Sequence, residues 1–144
     1  MATRDAVTYL LIDDEQATSD GGSGPIAGYY CLSAGQVSRA AAPGELTRAA
    51  PDPVPVVRMG RLAIGRPYQG SGWGADLLRE ALLSAAAAVR LIGGRALLVD
   101  AIDEKAEAFY RRFGFLPSPI HPLQLMYGLD VVAVSAGLTD AEPF

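Results

Sequence analysis

The residues whose types and spacing best suit chemistry are Gln69-Gly70-Ser71-Gly72-Trp73-Gly74, followed by Ala75. Glycines allow turns that a Cβ would block and let the backbone approach a ligand closely. Where such a turn opens a helix, amides without intrahelical partners sit at the positive end of the helix dipole. That arrangement suits an anion such as a pyrophosphate, held by the turn amides from Gln69 to Gly74. A phosphate-binding P-loop would need Lys and Ser/Thr after its last glycine, and Ala75-Asp76 stands there instead. The dinucleotide fingerprint G-x-G-x-x-G is missed by one residue, since Gly70, Gly72 and Gly74 give G-x-G-x-G. On this motif alone, a glycine turn without a ligand is an equal reading.

The other reactive side chains are few. Asp100 could take an amine proton directly or through water, although a surface or capping carboxylate is the plainer reading. His121, the only histidine, lies between Ile120 and Pro122 in a loop and reads as structural. Trp73 reads as shielding the glycine turn or packing at the helix start. Cys31 can form no internal disulfide, and its expected role is a small buried residue in a strand. No Cys/His spacing suggests a metal.

The elements that must position these residues follow from pattern. Val7–Ile12 and Ile26–Ser33 read as strands, antiparallel if joined as a hairpin. Residues 34–53, rich in Ala, Pro and Gly, read as a loop on the edge of the fold. Val56–Ile64 reads as a strand leading into the glycine turn. From Ala75 to Ile92 no Pro or Gly interrupts a helix with Leu78, Leu82, Ala85 and Val89 on one face, and Gly93-Gly94 stops it. The apolar run 95–101 reads as a parallel strand covered on both faces. Strand, helix and strand then form a right-handed βαβ unit, with ligands expected beyond the carboxyl ends of its strands. Asp103 is the expected N-cap of a second helix whose inward stripe is Ala106, Phe109, Tyr110 and Phe113. Gly114 ends it in a left-handed cap, and residues 123–129 form a last strand. A short helix is expected from Asp130 to Ala136.

Composition bounds the rest. At 144 residues the chain reads as one domain, with a core at about 7–129 and a tail at 130–144. Half the residues are apolar, yet no run is long enough to cross a bilayer and no signal peptide is visible, which fits a cytoplasmic enzyme. A net charge of −4 argues against a general nucleic-acid coat, and Arg58, Arg61, Arg66, Arg111 and Arg112 read mainly as solvated surface.

Two motifs stand in fixed order. Gln69-x-x-Gly72-x-Gly74 resembles the acyl-CoA pyrophosphate loop of the GNAT N-acetyltransferase superfamily. Ala106-x-x-Phe109-Tyr110-x-x-Phe113-Gly114-Phe115 resembles a second signature of that superfamily. The chain is identified as a member on the pair. Within the superfamily, Gly60–Ile64, the glycine turn, residues 75–79 and residues 113–119 are similar to the acetylating toxins of type II toxin–antitoxin pairs.

The resemblance implies an α/β (α+β) fold with a mixed, mostly antiparallel sheet and a central splayed parallel βαβ unit. The N-terminal strand and helices that those toxins carry are expected to be lacking. It implies acetyl-CoA as cosubstrate, with cofactor-binding residues Leu62, Ala63, Ile64, Gln69, Gly70, Ser71, Gly72, Trp73, Gly74, Ala75 and Tyr110. Backbone groups of Leu62–Ile64 would pair with the pantetheine arm like an added strand, and one amide there could donate to an oxyanion. Tyr110 matches the general acid. Its phenol, protonated at neutral pH, would donate to the leaving CoA thiolate after direct attack by a primary amine in a ternary complex. Filling the core is the alternative role for Tyr110.

Three functions follow from the resemblance. The first is an N-acetyltransferase acting on a small or macromolecular amine. The second is a toxin acetylating the amino group of aminoacyl-tRNA, partnered by a ribbon–helix–helix antitoxin. The third is a silent acyl-CoA-binding regulatory domain. The exposed sheet edge suits a homodimer.

Overall fold

The computed structural model describes residues 6–16, 21–22 and 24–129. Its strands are β1 (Val7–Ile12), β2 (Ile26–Val37), β3 (Val54–Ile64), β4 (Ala96–Asp100), β5 (Leu116–Pro117) and β6 (Gln124–Gly128). Its helices are α1 (Trp73–Ile92) and α2 (Glu104–Arg112). The strands form one sheet in the order β1-β2-β3-β4-β6-β5. Only β3 and β4 pair in parallel, as expected for strands joined by the crossover helix α1. The remaining pairs are antiparallel, so the sheet is mixed and mostly antiparallel. The helix expected from Asp130 to Ala136 lies outside the described residues.

The alternation of side chains decides which layer covers which face. Val57 and Met59 of β3, Leu97 and Val99 of β4, and Leu125 of β6 pack with both helices. Helix α1 contributes Leu77, Leu78, Ala81, Leu82, Ala85, Ala86 and Val89, the face expected from its spacing. Each large aliphatic side chain fully buried there stabilises the fold by about 1.5–3 kcal/mol. The intervening residues Val56, Ala96, Leu98 and Met126 point to the opposite face.

That opposite face corrects the expected edge loop at 34–53. Strand β2 carries on to Val37, because it keeps pairing with β3 as far as Val54. The chain then makes 3-10 turns at Arg39–Ala41 and Gly44–Leu46. Ala41, Ala42 and Ala50 are buried against the sheet, with Leu46 beside them. Small side chains let this connection lie flat, so its alanine content marks a covering layer. Ser118 Oγ donates to Ala41 O at 2.6 Å, and the Arg95 guanidinium reaches Ala49 O at 2.9 Å. Strand β4 is therefore covered on both faces, one side by helices and the other by this connection.

Other differences are small. Helix α1 begins at Trp73, earlier than Ala75, because Gly72 takes its N-cap position. The last strand begins at Gln124, since Leu123 has φ +65° and turns the chain into it. The short β5 was not anticipated. Cys31 is only half-buried, and its Sγ lies 3.3 Å from Thr8 Oγ1.

Candidate active site

A break in the sheet creates the site. The β3–β4 ladder runs from Val56–Ala96 to Met59–Val99 and then stops. Strand β4 continues instead along β6, pairing Asp100 with Gln124 and donating Ala101 N to Leu123 O at 2.7 Å. On the other side β3 stays paired to β2 through Ile64. Its register shifts where Leu32 faces Met59 and Cys31 faces Arg61, leaving Gly60 as an extra, bulged residue. A bulge bends its strand and increases the local twist. Here it falls where β3 and β4 part.

The gap holds a crevice of about 390 Å³ whose walls include Leu62, Ala63, Asp100, Ala106 and Tyr110. A second crevice, about 360 Å³, is lined by Ile64, Gln69, Gly70, Gly74, Ala75 and Phe109, among others. Consecutive residues join the two: Ala63 and Ile64 on β3, Phe109 and Tyr110 on α2.

At the second crevice the glycine turn does what its composition suggests. Gly70 and Gly72 have φ +83° and +82°, a region where a side chain is strained. Gln69 N donates back to Arg66 O at 3.2 Å, and the first helical bond runs from Asp76 N to Gly72 O at 3.2 Å. Between them, the amides of Gly70, Ser71, Gly72, Trp73, Gly74 and Ala75 meet no acceptor among the described residues. They are free donors at the start of a long helix. The Gln69 side chain turns away, donating to Ile64 O at 2.9 Å.

Three residues outside the motifs hold the turn in place. Tyr68 donates its hydroxyl to Asp13 Oδ2 at 2.8 Å, and Gln16 Nε2 reaches the same oxygen at 2.7 Å. The Tyr68 ring stacks on Trp73 with centroids 4.7 Å apart, which assigns Trp73 to packing at the helix start. The Tyr68 hydroxyl and Gln16 hold the Asp13 carboxyl below its ordinary pKa. Tyr68 is itself raised, by desolvation first and the Asp13 bond second. Sequence reading passed over this tether, which joins residues far apart in the chain. The signal was slight: an aspartate closing an apolar strand.

At the first crevice, Tyr110 is buried between Phe109 and Phe115. Its hydroxyl has no hydrogen-bond partner among the described residues, and desolvation pushes its pKa up to about 12. It therefore both packs in the core and lines the crevice. Asp103 caps α2 as expected, accepting from Ala106 N at 2.8 Å.

Asp100 lies at the crevice wall but is engaged by Arg58 Nη1 at 3.2 Å and Gln124 Nε2 at 3.2 Å. That favours its structural reading over a base. His121 is exposed, and its backbone serves the turn, donating to Ser118 Oγ at 3.1 Å. Among the described residues there is no metal-binding group of three or more His, Cys, Asp and Glu, and no helix long and apolar enough to cross a membrane.

Comparison with known proteins extends the geometry. The family model described as Acetyltransferase (GNAT) domain matches residues 10–117. The chain is 48% identical over 103 residues to a tRNA-acetylating toxin of Mycobacterium tuberculosis (strain ATCC 25618 / H37Rv), a stretch covering 72% of this chain. It spans 62% of that relative's length. Among solved structures, AtaT complexed with acetyl-methionyl-tRNAfMet superposes with a TM-score of 0.78 at 30% identity, over 92% of this chain and 76% of that one. AtaTR bound with AcCoA gives a TM-score of 0.71 at 30% identity, over 92% and 75%.

Proposed function

The chain belongs to the GNAT acetyltransferase family, and we propose that it moves the acetyl group of acetyl-CoA onto the amino group of an aminoacyl-tRNA, as a toxin restrained by a ribbon–helix–helix antitoxin. One observation carries the acetyl-transfer part. Six free amides open α1 at one end of a pair of joined crevices, and the Tyr110 phenol stands in the other. The acceptor is supported by the likeness to the tRNA-acetylating relative and to AtaT. It narrows the broader expectation of any primary amine. The acidic net charge speaks against a coat of RNA over the whole surface, not against one local contact. The edge at β1, where Val7, Tyr9 and Leu10 remain partly exposed, suits pairing with a second copy.

Acetyl-CoA supplies the acyl group as a thioester. The amides from Gly70 to Ala75 receive its diphosphate, where the dipole of α1 favours negative charge. The edge of β3 at Leu62–Ile64, beyond its pairing with β4, offers backbone groups to the pantetheine arm in the manner of an added strand, although Ile64 O already accepts from Gln69. An amide of that edge donates to the oxygen that becomes negative as the acceptor amine attacks. Tyr110 gives its proton to the departing thiolate sulfur, while the proton shed by the attacking amine passes to water, from which the phenolate is reprotonated. Its raised pKa keeps the proton in place across the physiological range.

The test is transfer of labelled acetyl from acetyl-CoA to a panel of charged tRNAs, by the parent chain and Tyr110→Phe. The expected result is N-acetylated aminoacyl-tRNA, with the variant slower by roughly 10²–10⁴-fold. Turnover with small amines but not charged tRNA would move the acceptor back to the broader class. Acetyl-CoA binding without turnover on any acceptor would favour a silent domain.

A further inference from the structure

Resting on the acetyl-transfer reading, we infer that Arg61, beside Tyr29 at the rim of the Tyr110 crevice, binds a phosphate of the acceptor RNA. The bulge places it there. Val57 and Met59 face the helices, and unbroken alternation would send residue 61 the same way. The extra residue Gly60 resets the pattern, so Leu62 and Ile64 join the helix-side core and Arg61 turns to the opposite face.

On that face Arg61 lies opposite Cys31, with Tyr29 two residues along β2, a diagonal cross-strand neighbour. The Tyr29 phenol beside it raises the guanidinium's pKa above its ordinary value. The crevice is therefore bounded from the helix side by Tyr110 and Ala106, and from the opposite side by Tyr29 and Arg61. Residues from both faces of the sheet line it. The connection at 38–53 covers this face around Val54, Val56 and Leu98, and Arg61 itself is exposed.

Charge selects the ligand. The nearby Arg58 is paired with Asp100. Arg61 has no carboxylate partner among the described residues. A guanidinium at the crevice rim, presenting a planar fork of donors, suits a phosphate oxygen pair. The diphosphate of acetyl-CoA is assigned to a different crevice, whose lining does not include Arg61. A charge on the other side of the sheet from the proton donor suits the second substrate, and the acceptor that carries phosphates next to its amine is an aminoacyl-tRNA end.

The experiment compares the parent, Arg61→Ala, Arg61→Lys and Tyr29→Phe. Binding of a deacylated tRNA minihelix is measured across a salt series. Acetylation is measured with charged tRNA and with an aminoacyl-adenosine, which carries the amine without phosphates. Arg61→Ala is expected to weaken RNA binding about tenfold, the scale of one charge-assisted contact. It should lower the log–log salt slope by about 0.7, as for one single-strand phosphate. KM for charged tRNA should rise in proportion, while kcat, acetyl-CoA affinity and KM for aminoacyl-adenosine stay unchanged. Arg61→Lys should restore the slope with only part of the affinity, and Tyr29→Phe should fall between parent and Arg61→Ala. An unchanged slope and affinity in Arg61→Ala would overturn the inference, as would an equal loss with aminoacyl-adenosine or a parent that binds no RNA. Arg61-dependent RNA binding without acetyl transfer would sink the proposed function and leave this contact standing.

Discussion

The Tyr68 hydroxyl donates to the Asp13 carboxylate at 2.8 Å, joining residues 55 apart in the chain. Through the stack of Tyr68 on Trp73, the end of β1 sets the position of the first residue of α1. The glycine turn, with its two left-handed residues, is thus held at a fixed place on the sheet.

Tyr68→Phe keeps the stack and removes the bond. Acetyl-CoA affinity should fall several-fold in a calorimetric titration, with little change in kcat. The Asp13 pKa is depressed in the folded chain, so the tether's contribution is present above the unfolded carboxylate value. It is lost as pH falls through the lowered one. Acid should therefore weaken parent binding only below the usual carboxylate range, and Tyr68→Phe should shift that midpoint upward.

Tyr110 makes a prediction in alkali. Its folded pKa of about 12 lies above the ordinary phenol value, so its burial stabilises the fold fully below about pH 10 and ceases to as pH rises through 12. A pH profile of kcat should show no loss from phenol ionisation up to the pH where the fold fails. The phenolate absorbance of Tyr110, taken as parent minus Tyr110→Phe, should appear late in a spectrophotometric titration. A tyrosine titrating near 10 in that difference would remove the buried donor from the account.

Gly72→Ala places a Cβ at φ +82°, a strain of about 1–2 kcal/mol. Nothing lies within 4 Å of that Cβ, so the strain is purely conformational. The variant should fold, with a slightly lowered thermal midpoint and weaker acetyl-CoA binding, because relaxation of the turn would misalign the free amides. Unchanged affinity would mean that the amides are not the ligand's anchor.

Ala41→Leu tests whether the connection at 38–53 is a core layer. Ala41 is fully buried against the sheet, so a larger side chain should destabilise by about 1–3 kcal/mol in urea unfolding. A solvent-exposed loop at the same position would tolerate it.

Much of this was readable before the coordinates. The 3.6-residue spacing of Leu78, Leu82, Ala85 and Val89 marked the buried face of α1, and the apolar run at 96–99 marked a strand covered on both sides. Local chemistry also announced Asp103 as a cap and Gly70–Gly72 as a turn. What escaped was what depends on partners. The Gly60 bulge exists only in the register between β2 and β3, and the residues after it change face because of it. Asp13 and Tyr68 meet only once the sheet is formed. The alanines at 41, 42 and 50 carry no periodicity, so a flat covering layer read as an open loop. Arg61 looked like any surface arginine until Tyr29 and the crevice were beside it.

The most direct test of the central claim is a crystal structure of the chain with acetyl-CoA. The diphosphate should lie within about 3 Å of the amides of Gly70 to Ala75, with the sulfur facing the Tyr110 hydroxyl across the gap between β3 and β4. A diphosphate bound elsewhere, or a sulfur remote from Tyr110, would contradict it.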